Sequence, residues 1–442
     1  MTKHMQHKQT NTAHFSASQW LSYIEALHPK AIAMGLERVR EVALRLDLEP
    51  NFPIITVAGT NGKGSTCAML SAIYVQAGYQ VGCYTSPHLI DYNERVRVNN
   101  KNISDADLCK AFAAVENARK EVALTYFEMG TLAAMWHFCQ LSLDIVILEV
   151  GLGGRLDAVN VFEPTCAIVT SIDLDHTEYL GDTREKIALE KAGIYRQNIL
   201  AICGDTNPPQ TLIDYAHKIG ADLQLINRDF KRIINAGTWQ YYDDRFSMDL
   251  PKLAMTGDFQ LNNAACAIRA VQSLQKLLQV SQACIKQALQ NVQSIGRFYQ
   301  IHFNPTIIVD VAHNPHAAMS LAHNLAHTPC TGNTHGVFAM LADKDIAGVV
   351  RAVLPQIHSW HVASISNTRG AKVDALVNIL SKSIQKKDIH TYTDVTSSLY
   401  GACKMVGNND RIIVFGSFYT VADAIVAVVQ DDTNLQLKTY TT

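Results

Sequence analysis

The sequence predicts an α/β protein with two domains. Apolar strand-like runs alternate with amphipathic helical stretches from residue 54 onward, a pattern typical of a mostly parallel sheet covered by helices. A chain of 442 residues also exceeds the size at which a single hydrophobic core stops growing. The period resets near 296–298, so we expect a loose N-terminal tail over 1–17, a larger domain over 18–296 and a smaller domain over 297–442.

The larger domain is expected to start with two helices, because apolar residues recur at helical spacing from Trp20 to Leu27 and from Leu36 to Leu46. Strands are then predicted at 54–58, 81–84, 144–150, 166–170 and 199–203, and helices at 65–77, 105–119, 129–141 and 184–195. Valine, isoleucine and leucine dominate the strand at 144–150, as expected of a parallel strand that is buried on both faces.

The pattern changes twice more along the chain. Residues 221–256 form shorter and more polar runs, which indicates a hairpin-like insertion, and a helical pair follows at 258–291. The smaller domain repeats the β/α alternation, with strands predicted at 306–311, 335–341, 360–365 and 411–416.

Composition limits the class of protein. Hydrophobic residues make up 48% of the chain and supply an ample core, while a formal net charge of −2 without a long basic run argues against nucleic acid as the main partner. The ten cysteines are scattered, as in reduced cytoplasmic proteins, and the polar N-terminal stretch lacks the apolar core of a signal peptide. No apolar run is long enough to span a bilayer. We therefore expect a cytoplasmic monomer that binds neither membranes nor nucleic acid.

The strand at 54–58 leads into a glycine-rich loop with the features of a phosphate-binding loop. The loop residues are Gly59, Thr60, Asn61, Gly62, Lys63, Gly64, Ser65 and Thr66. Glycines let successive N–H groups converge on phosphate oxygens, the following helix start favours anions, and Lys63 can reach the terminal phosphates. Gly64 departs from the common pattern, in which Ser or Thr directly follows the lysine. The alternative is a glycine-rich turn without a ligand.

Three polar residues near predicted strand ends are candidate metal ligands. Ser86 follows the strand at 81–84, and its alternative role is to cap a proline-containing turn. Glu149 lies within an apolar strand, where a carboxylate needs a cation such as Mg²⁺ or a salt bridge to Arg155. His176 follows the strand at 166–170 and either binds a second metal, supported by Asp173 or Asp175, or is a surface histidine.

Two further segments carry candidate residues. Lys191 lies on the predicted helix at 184–195, and its residue type alone favours a solvated lysine. In the smaller domain, Asp310 can accept hydrogen bonds from a ribose and His313 can contact phosphate. The alternative there is a turn capped by Asn314 before Pro315.

These segments together resemble one family. The motifs are Gly-Thr-Asn-Gly-Lys-Gly-Ser at 59–65, Ser-Pro-His at 86–88, Leu-Glu-Val-Gly-Leu-Gly-Gly-Arg-Leu-Asp at 148–157, Asp-His-Thr at 175–177, Glu-Lys-Ala-Gly at 190–193, Asp-Val-Ala-His-Asn-Pro-His at 310–316 and Val-Phe-Gly-Ser-Phe-Tyr-Thr-Val-Ala at 414–422. They resemble the folylpolyglutamate synthases of the Mur ligase superfamily. Trp-Leu-Ser-Tyr at 20–23 and Thr-Tyr-Phe-Glu at 125–128 match the branch that is also a dihydrofolate synthase.

The resemblance implies a Mur-ligase-like ATP-binding domain with the phosphate loop, followed by a Rossmann-like C-terminal ligase domain. It also implies an ATP-dependent ligase that joins L-glutamate to dihydropteroate and to reduced folates through an acyl phosphate, with two Mg²⁺ ions. The implied catalytic residues are Lys63, His176, Lys191, Arg297 and His313. The metal ligands would be Ser86, Glu149 and His176, and Lys191 would be carbamylated.

The resemblance assigns substrate contacts as well. ATP would contact residues 59–66 together with Asn263, Arg297 and Asp310. Dihydropteroate would contact Ala33, Met34, Thr125, Tyr126, Phe127, Glu128, Leu156, Asp157 and Ala158. Three of these contacts stay open. Relatives place an acidic residue at the position of Ala33, either Asn262 or Asn263 can approach the adenine, and burial in the core is the alternative for Tyr126 and Phe127.

The sequence leaves three alternatives to the bifunctional ligase. A monofunctional folylpolyglutamate synthase would share every motif. Another Mur-type ligase would share the loop and the metal residues but not the Thr-Tyr-Phe-Glu segment at 125–128. A non-catalytic nucleotide switch would not need His176 or Lys191.

Overall fold

The computed structural model describes residues 12, 14–30, 32–235 and 237–430. The predicted tail over 1–17 lies mostly outside these residues. The first helix, α1 (Ala17–Glu25), begins after Ser16, whose hydroxyl accepts from the Gln19 N–H in a capping box. The second helix is α2 (Glu37–Arg45). Both predicted N-terminal helices are therefore present.

The larger sheet has eight strands in the order β4-β3-β2-β5-β1-β6-β7-β8. Their bounds are β1 (Ile54–Ala58), β2 (Val81–Tyr84), β3 (Val96–Val98), β4 (Lys101–Asn102), β5 (Ile145–Glu149), β6 (Cys166–Val169), β7 (Leu200–Cys203) and β8 (Asp222–Leu225). The six neighbouring strands β2, β5, β1, β6, β7 and β8 are all parallel. At the edge beside β2, the strands β3 and β4 pair antiparallel. The carboxyl ends of six strands therefore meet at one edge.

Helices cover both faces of this sheet. They are α3 (Lys63–Gln76), α4 (Asp105–Arg119), α5 (Tyr126–Cys139), α6 (Thr177–Leu180), α7 (Arg184–Ala192) and α8 (Gln210–Ile219). Alternate residues of β5 enter different cores: Val146 and Leu148 pack with α4 and α5, whereas Ile145 and Ile147 pack with α3. The continuous apolar run that predicted a strand buried on both faces is explained by these two cores.

The segment at 221–256 is more than the predicted hairpin-like insertion. Its first strand, β8, extends the larger sheet, and the remainder forms a separate antiparallel sheet of β9 (Phe230–Asn235), β10 (Thr238–Asp243) and β11 (Ser247–Pro251). Trp239 and Tyr241 alternate inward along β10 and are buried in the core that contains α9 (Asp258–Ser273) and α10 (Gln282–Asn291). The outward residues are polar, which hid this burial in the sequence pattern.

The smaller sheet follows, with six strands in the order β12-β13-β17-β14-β15-β16. The strands are β12 (Tyr299–Phe303), β13 (Thr306–Asp310), β14 (Thr334–Phe338), β15 (Ser359–Ala363), β16 (Ile389–Tyr392) and β17 (Arg411–Phe415). Its helices are α11 (Pro315–His327), α12 (Ile346–Val353), α13 (Val373–Leu380), α14 (Val395–Met405) and α15 (Phe418–Gln430). The sequence did not predict β12 and β16. Both are edge strands, and β12 is the one antiparallel member of this sheet.

Within the described ranges, no helix is both long and apolar enough to cross a bilayer. The cysteines at 67, 83, 166 and 266 are free and buried.

A row of histidines crosses one face of the smaller sheet. His335 Nδ1 lies 3.3 Å from His361 Nε2, and His361 Nδ1 lies 3.2 Å from the Tyr392 hydroxyl. The His361 ring also stacks on His390, with 5.1 Å between centroids, while Asp410 lies 3.5 Å from the far nitrogen of His335. Burial, with smaller contributions from the two neighbouring histidines, lowers the pKa of His361 to about 3.

This pKa shift predicts acid sensitivity. An unfolded histidine titrates near pH 6.5, so the unfolded chain binds a proton at His361 across the window from about pH 6.5 to about pH 3 in which the folded chain does not. Stability should therefore fall as the pH is lowered through this window, by about 1 kcal/mol from this ring at about pH 5.5. His361→Phe should reduce the difference between the free energies of unfolding in urea at about pH 7.5 and about pH 5.5. An unchanged difference would contradict the prediction.

Candidate active site

A cavity of about 780 Å³ lies between the larger sheet and the smaller sheet. Segments that follow β1, β2, β5 and β6 line it from the larger sheet, and segments that follow β13, β14 and β17 line it from the smaller sheet. The carboxyl ends of both parallel sheets therefore converge on one space, which is where open α/β sheets bind ligands.

Hydrogen bonds to the end of β6 fix the glycine-rich loop. The hydroxyls of Thr170 and Ser171 both donate to the Asn61 carbonyl, at 2.7 and 3.0 Å. Gly59 has a φ of +151°, and a Cβ there would overlap the Thr170 hydroxyl. Gly62 has a φ of +89° and immediately precedes α3. Both positions therefore require glycine, and the loop presents the N-terminus of α3 to the cavity.

The lysine of this loop folds back over its own backbone. Lys63 Nζ donates to the carbonyls of Gly59 and Thr60, at 2.9 and 3.2 Å. Gly64 lies beside the Glu149 carboxylate, and a Cβ there would be in ordinary van der Waals contact with it at 3.6 Å. Thr66 is the one loop residue that does not line the cavity. Its buried hydroxyl has no hydrogen-bond partner among the described residues.

Glu149 ends β5 with its side chain in the cavity wall and only 3% of the residue exposed. It accepts a hydrogen bond of 3.1 Å from the Ser86 N–H. Burial raises the pKa of Glu149, and Lys63 opposes this shift. The alternative salt bridge to Arg155 does not form, because Arg155 pairs instead with Glu190 at 2.8 Å.

This donor set suits a metal that retains oxygen ligands from water or phosphate. Among the described residues there is no group of three or more His, Cys, Asp or Glu side chains that could enclose an ion. A buried carboxylate beside a serine fits Mg²⁺, which usually takes one or two carboxylates and completes its shell with water and substrate phosphates.

Around His176, charged side chains from both sheets meet. His176 adopts φ +50° at the start of α6, and burial lowers its pKa to about 4. The preceding Asp175 accepts from Lys344 Nζ at 2.7 Å, and this ammonium also lies 3.4 Å from His176 Nε2. His313 Nε2 lies 3.8 Å from Asp175, and burial lowers the pKa of His313 to about 4. We did not predict a role for Lys344 from the sequence, although its position shortly after β14 could have indicated that it lies at the site.

Lys191 is buried rather than solvated, with 3% of the residue exposed on α7. In the part of the chain that the structure describes, its ammonium has no salt bridge and no hydrogen bond. Burial, reinforced by the positive charge of Lys63, lowers the pKa of Lys191 to about 7. A large fraction of this side chain is therefore a neutral amine near neutral pH.

Asp310 ends β13 and accepts backbone hydrogen bonds from Phe298 and Ala312, both at 2.8 Å. Burial raises the pKa of Asp310 to about 6, opposed by the nearby positive charge of Arg297. The Arg297 guanidinium lies 5.3 Å from the centre of the Phe418 ring. The alternative turn is also real, since Asn314 caps α11, but Asp310, Arg297 and His313 line the cavity as well.

The two adjacent asparagines of α9 differ in their surroundings. Asn262 accepts from Arg232 at 2.5 Å, whereas Asn263 donates to Gln260 at 2.9 Å. Asn263 also lies against Gly62, where a Cβ would approach its side-chain oxygen to 2.5 Å. Both asparagines line the cavity, but Asn263 is the one packed on the loop.

Most of the residues assigned to dihydropteroate line the same cavity. They are Ala33, Met34, Thr125, Phe127, Glu128, Leu156, Asp157 and Ala158. Tyr126 does not line it and packs edge-on against Tyr92, with 5.7 Å between ring centres.

The two acidic residues of this set already have partners. Glu128 binds Arg38 at 2.7 Å and accepts from the Thr125 N–H at 2.7 Å, and Arg38 also donates to the Ala33 carbonyl. Asp157 accepts from the Leu152 N–H at 2.8 Å, and burial raises the pKa of Asp157 to about 7.

Comparisons with known proteins agree with this geometry. The Mur ligase middle domain matches residues 57–271, and the Mur ligase, glutamate ligase domain matches residues 296–418. A dihydrofolate synthase/folylpolyglutamate synthase of Haemophilus influenzae is 41% identical over 92% of this chain and 96% of its own. The chain belongs to the dihydrofolate synthase/folylpolyglutamate synthase family. The Escherichia coli member is 40% identical over 95% of this chain and 97% of its own.

Solved structures of the family superpose over nearly the whole chain. E. coli FolC in complex with DHPP and ADP has a TM-score of 0.91 and 40% identity, covering 96% of this chain and 100% of that one. A bifunctional folylpolyglutamate synthase/dihydrofolate synthase with Mn, AMPPNP and L-glutamate bound has a TM-score of 0.88 and 41% identity, covering 95% and 100%. The predicted fold class, family and enzyme class are therefore confirmed: the chain is a Mur-type ligase.

The salt bridge between the two sheets provides a test of their coupling. Lys344→Met should destabilise the protein by about 3 kcal/mol, because it removes the cation from a carboxylate of which 11% is exposed. Adding Asp175→Asn should recover part of this loss, which urea unfolding can measure.

Lys186→Met serves as the control, because Lys186 and Asp182 form an exposed ion pair that solvent screens, so its loss should change stability little. Equal effects of Lys344→Met and Lys186→Met would show that the buried bridge does not stabilise the fold.

Proposed function

We propose that this chain joins L-glutamate to dihydropteroate, and to the terminal glutamate of reduced folates, with ATP as the energy source. One observation carries the proposal: the phosphate-type loop, the buried Glu149, Arg297 and Asp310 share a cavity with Thr125, Phe127 and Glu128 and with the segment at 156–158. The relatives named above support it, since one binds DHPP and ADP and another binds AMPPNP, Mn and L-glutamate.

ATP is proposed to bind across the two sheets. The loop N–H groups and the N-terminus of α3 would hold its phosphates, and Lys63 would exchange its two carbonyl partners for phosphate oxygens. Asn263 would contact the base and Asp310 the ribose. Arg297, next to the start of β12, would link phosphate binding to the approach of the smaller sheet.

Two Mg²⁺ ions are proposed to accompany the nucleotide. Ser86 and Glu149 would hold one ion, and the neutral ring of His176 would hold the second. Bound Mg²⁺ would neutralise charge on the phosphates. Each histidine with a pKa near 4 keeps a nitrogen lone pair available at neutral pH.

The reaction joins two anionic substrates, so electrostatics dominate it. The substrate carboxylate attacks the γ-phosphorus of ATP, which releases ADP and leaves an acyl phosphate. The amine of L-glutamate then attacks the acyl carbon, and inorganic phosphate leaves. Lys63 and Arg297 would stabilise charge that develops on the transferred phosphoryl group, and His313 would contact phosphate from the smaller sheet.

Carbamylation is proposed for Lys191. A neutral amine can add to the carbon of CO₂ and lose a proton, which gives an anionic carbamate. The low pKa and the absence of an acidic partner in the described structure both favour this product, because an anion is better tolerated beside Lys63 and a bound cation.

The pterin is proposed to bind against Phe127, whose flat ring packs on Gly151 in the cavity wall. Asp157 would accept its ring N–H groups, and Glu128 would position the segment through Arg38. We further propose that the domains divide between residues 296 and 297. A cytoplasmic, monomeric enzyme remains our prediction.

The function is tested by phosphate release from ATP. Purified protein with Mg²⁺, dihydropteroate and L-glutamate should release phosphate and form dihydrofolate, and tetrahydrofolate should replace dihydropteroate. Release with tetrahydrofolate alone would reduce the function to a monofunctional folylpolyglutamate synthase. Release with neither substrate would refute the proposal.

The carbamate is tested by NMR after incubation with ¹³C-bicarbonate. One carbamate carbon signal should arise in the wild type and be lost in Lys191→Met, whereas Lys186→Met, which alters an exposed lysine, should retain it. High-resolution density that ends at an ammonium on Lys191, together with no signal, would contradict the proposal.

A further inference from the structure

Arg95 is a buried cation in the cavity wall. It ends the short helical turn Tyr92–Arg95 that precedes β3, it lines the cavity, and only 9% of the residue is exposed. Burial to this degree is unusual for arginine unless an anion pairs with it.

The residues that the structure describes supply no such anion. Among the described residues, Arg95 makes no salt bridge, and its one side-chain hydrogen bond runs from Nε to His88 Nδ1 at 2.9 Å. Its guanidinium carbon lies 5.0 Å from the centre of the Tyr92 ring and 5.4 Å from that of Tyr126. Aromatic faces offset only part of the cost of desolvating a full charge.

The neighbouring carboxylate has other partners. Glu94 accepts from the backbone N–H groups of Leu89, Ile90 and Asp91, each at 2.8 Å. His88 supplies no anion either, since its Nδ1 accepts the hydrogen bond from Arg95 Nε and an imidazole ring carries no negative charge. The two terminal nitrogens of Arg95 are therefore left to serve a ligand in the cavity.

The position of Arg95 identifies the kind of anion. Its contact His88 is two residues from Ser86, next to Glu149, and its contact Tyr126 belongs to the segment at 125–128 assigned to the pterin. A substrate that extends from the pterin segment toward the phosphate loop would therefore pass Arg95. Dihydropteroate has one carboxylate, which reacts, whereas a folate has a second one, the α-carboxylate of its terminal glutamate.

We propose that Arg95 binds the non-reacting α-carboxylate of a folate substrate and so determines selectivity between folates and dihydropteroate. The inference rests on the proposed function. A guanidinium binds both oxygens of a carboxylate at once, which would make a reacting carboxylate a poorer nucleophile. The α-carboxylate does not react, so binding it costs nothing in the chemical step.

The test combines a protein variant with a substrate variant. Arg95→Met keeps the apolar stem and removes the charge, and a tetrahydrofolate analogue with γ-aminobutyrate in place of glutamate keeps the reacting carboxylate and lacks the α-carboxylate. Wild-type kcat/KM should fall on the order of tenfold or more for the analogue. Arg95→Met should lose a similar factor with tetrahydrofolate and little further with the analogue, because both changes remove the same contact.

Two further variants serve as controls. Arg97→Met removes a nearby arginine that does not line the cavity, and it should leave the ratio of kcat/KM for tetrahydrofolate to that for dihydropteroate unchanged. Arg95→Lys keeps the positive charge without the fork and should lower this ratio by an intermediate factor; it replaces Arg95→Met if the latter does not fold.

The inference would be overturned if Arg95→Met and the removal of the α-carboxylate lowered kcat/KM by independent factors that multiply when both changes are made. Arg95 would then act on something other than the α-carboxylate. An equal loss with dihydropteroate and with tetrahydrofolate would also overturn it. Failure of the proposed function is distinct, since the wild type would then release no phosphate with either substrate.

Discussion

The active site depends on how the loop after β1 is held to the end of β6. Two hydroxyls there bind the Asn61 carbonyl, and this contact fixes the glycines that bring the N-terminus of α3 to the cavity. The Asn61 side chain also donates to Asn314 and His316 at the start of α11 in the smaller domain, at 3.2 and 2.9 Å. The loop that we propose to hold the phosphates therefore also contacts the smaller domain, which in our proposal links nucleotide binding to the approach of the two domains.

Burial without full pairing is the second feature of the site. Burial raises the pKa values of Glu149 and Asp157, and burial together with the positive charge of Lys63 lowers the pKa of Lys191. Groups of this kind cluster at functional sites because substrates and metal ions supply the missing charge. Asp175 differs, since Lys344 already neutralises it, and we therefore regard this pair as part of the interface between the sheets.

In our proposal, different parts of the cavity bind the nucleotide and select the substrate. The loop, Glu149 and Asp310 would serve ATP, and the segment at 125–128 would serve the pterin. Within this segment the family resemblance assigned Tyr126 to the pterin. The Tyr126 ring does not line the cavity, however, and lies against the guanidinium of Arg95. The tyrosine thus supports a buried cation, which in our proposal distinguishes a folate from dihydropteroate.

The sequence by itself determined the central strands, the phosphate loop and the order of the family motifs, because these depend on local periodicity and on spacing between neighbours in the chain. The edge strands β12 and β16 and the burial of β10 were decided by tertiary packing, since their mixed patterns gain apolar contacts only from distant elements. The lowered pKa of Lys191 and the lack of an acidic partner for Arg95 among the described residues also arise only in the fold. Desolvation depends on what surrounds a side chain in space, and a sequence does not contain that information.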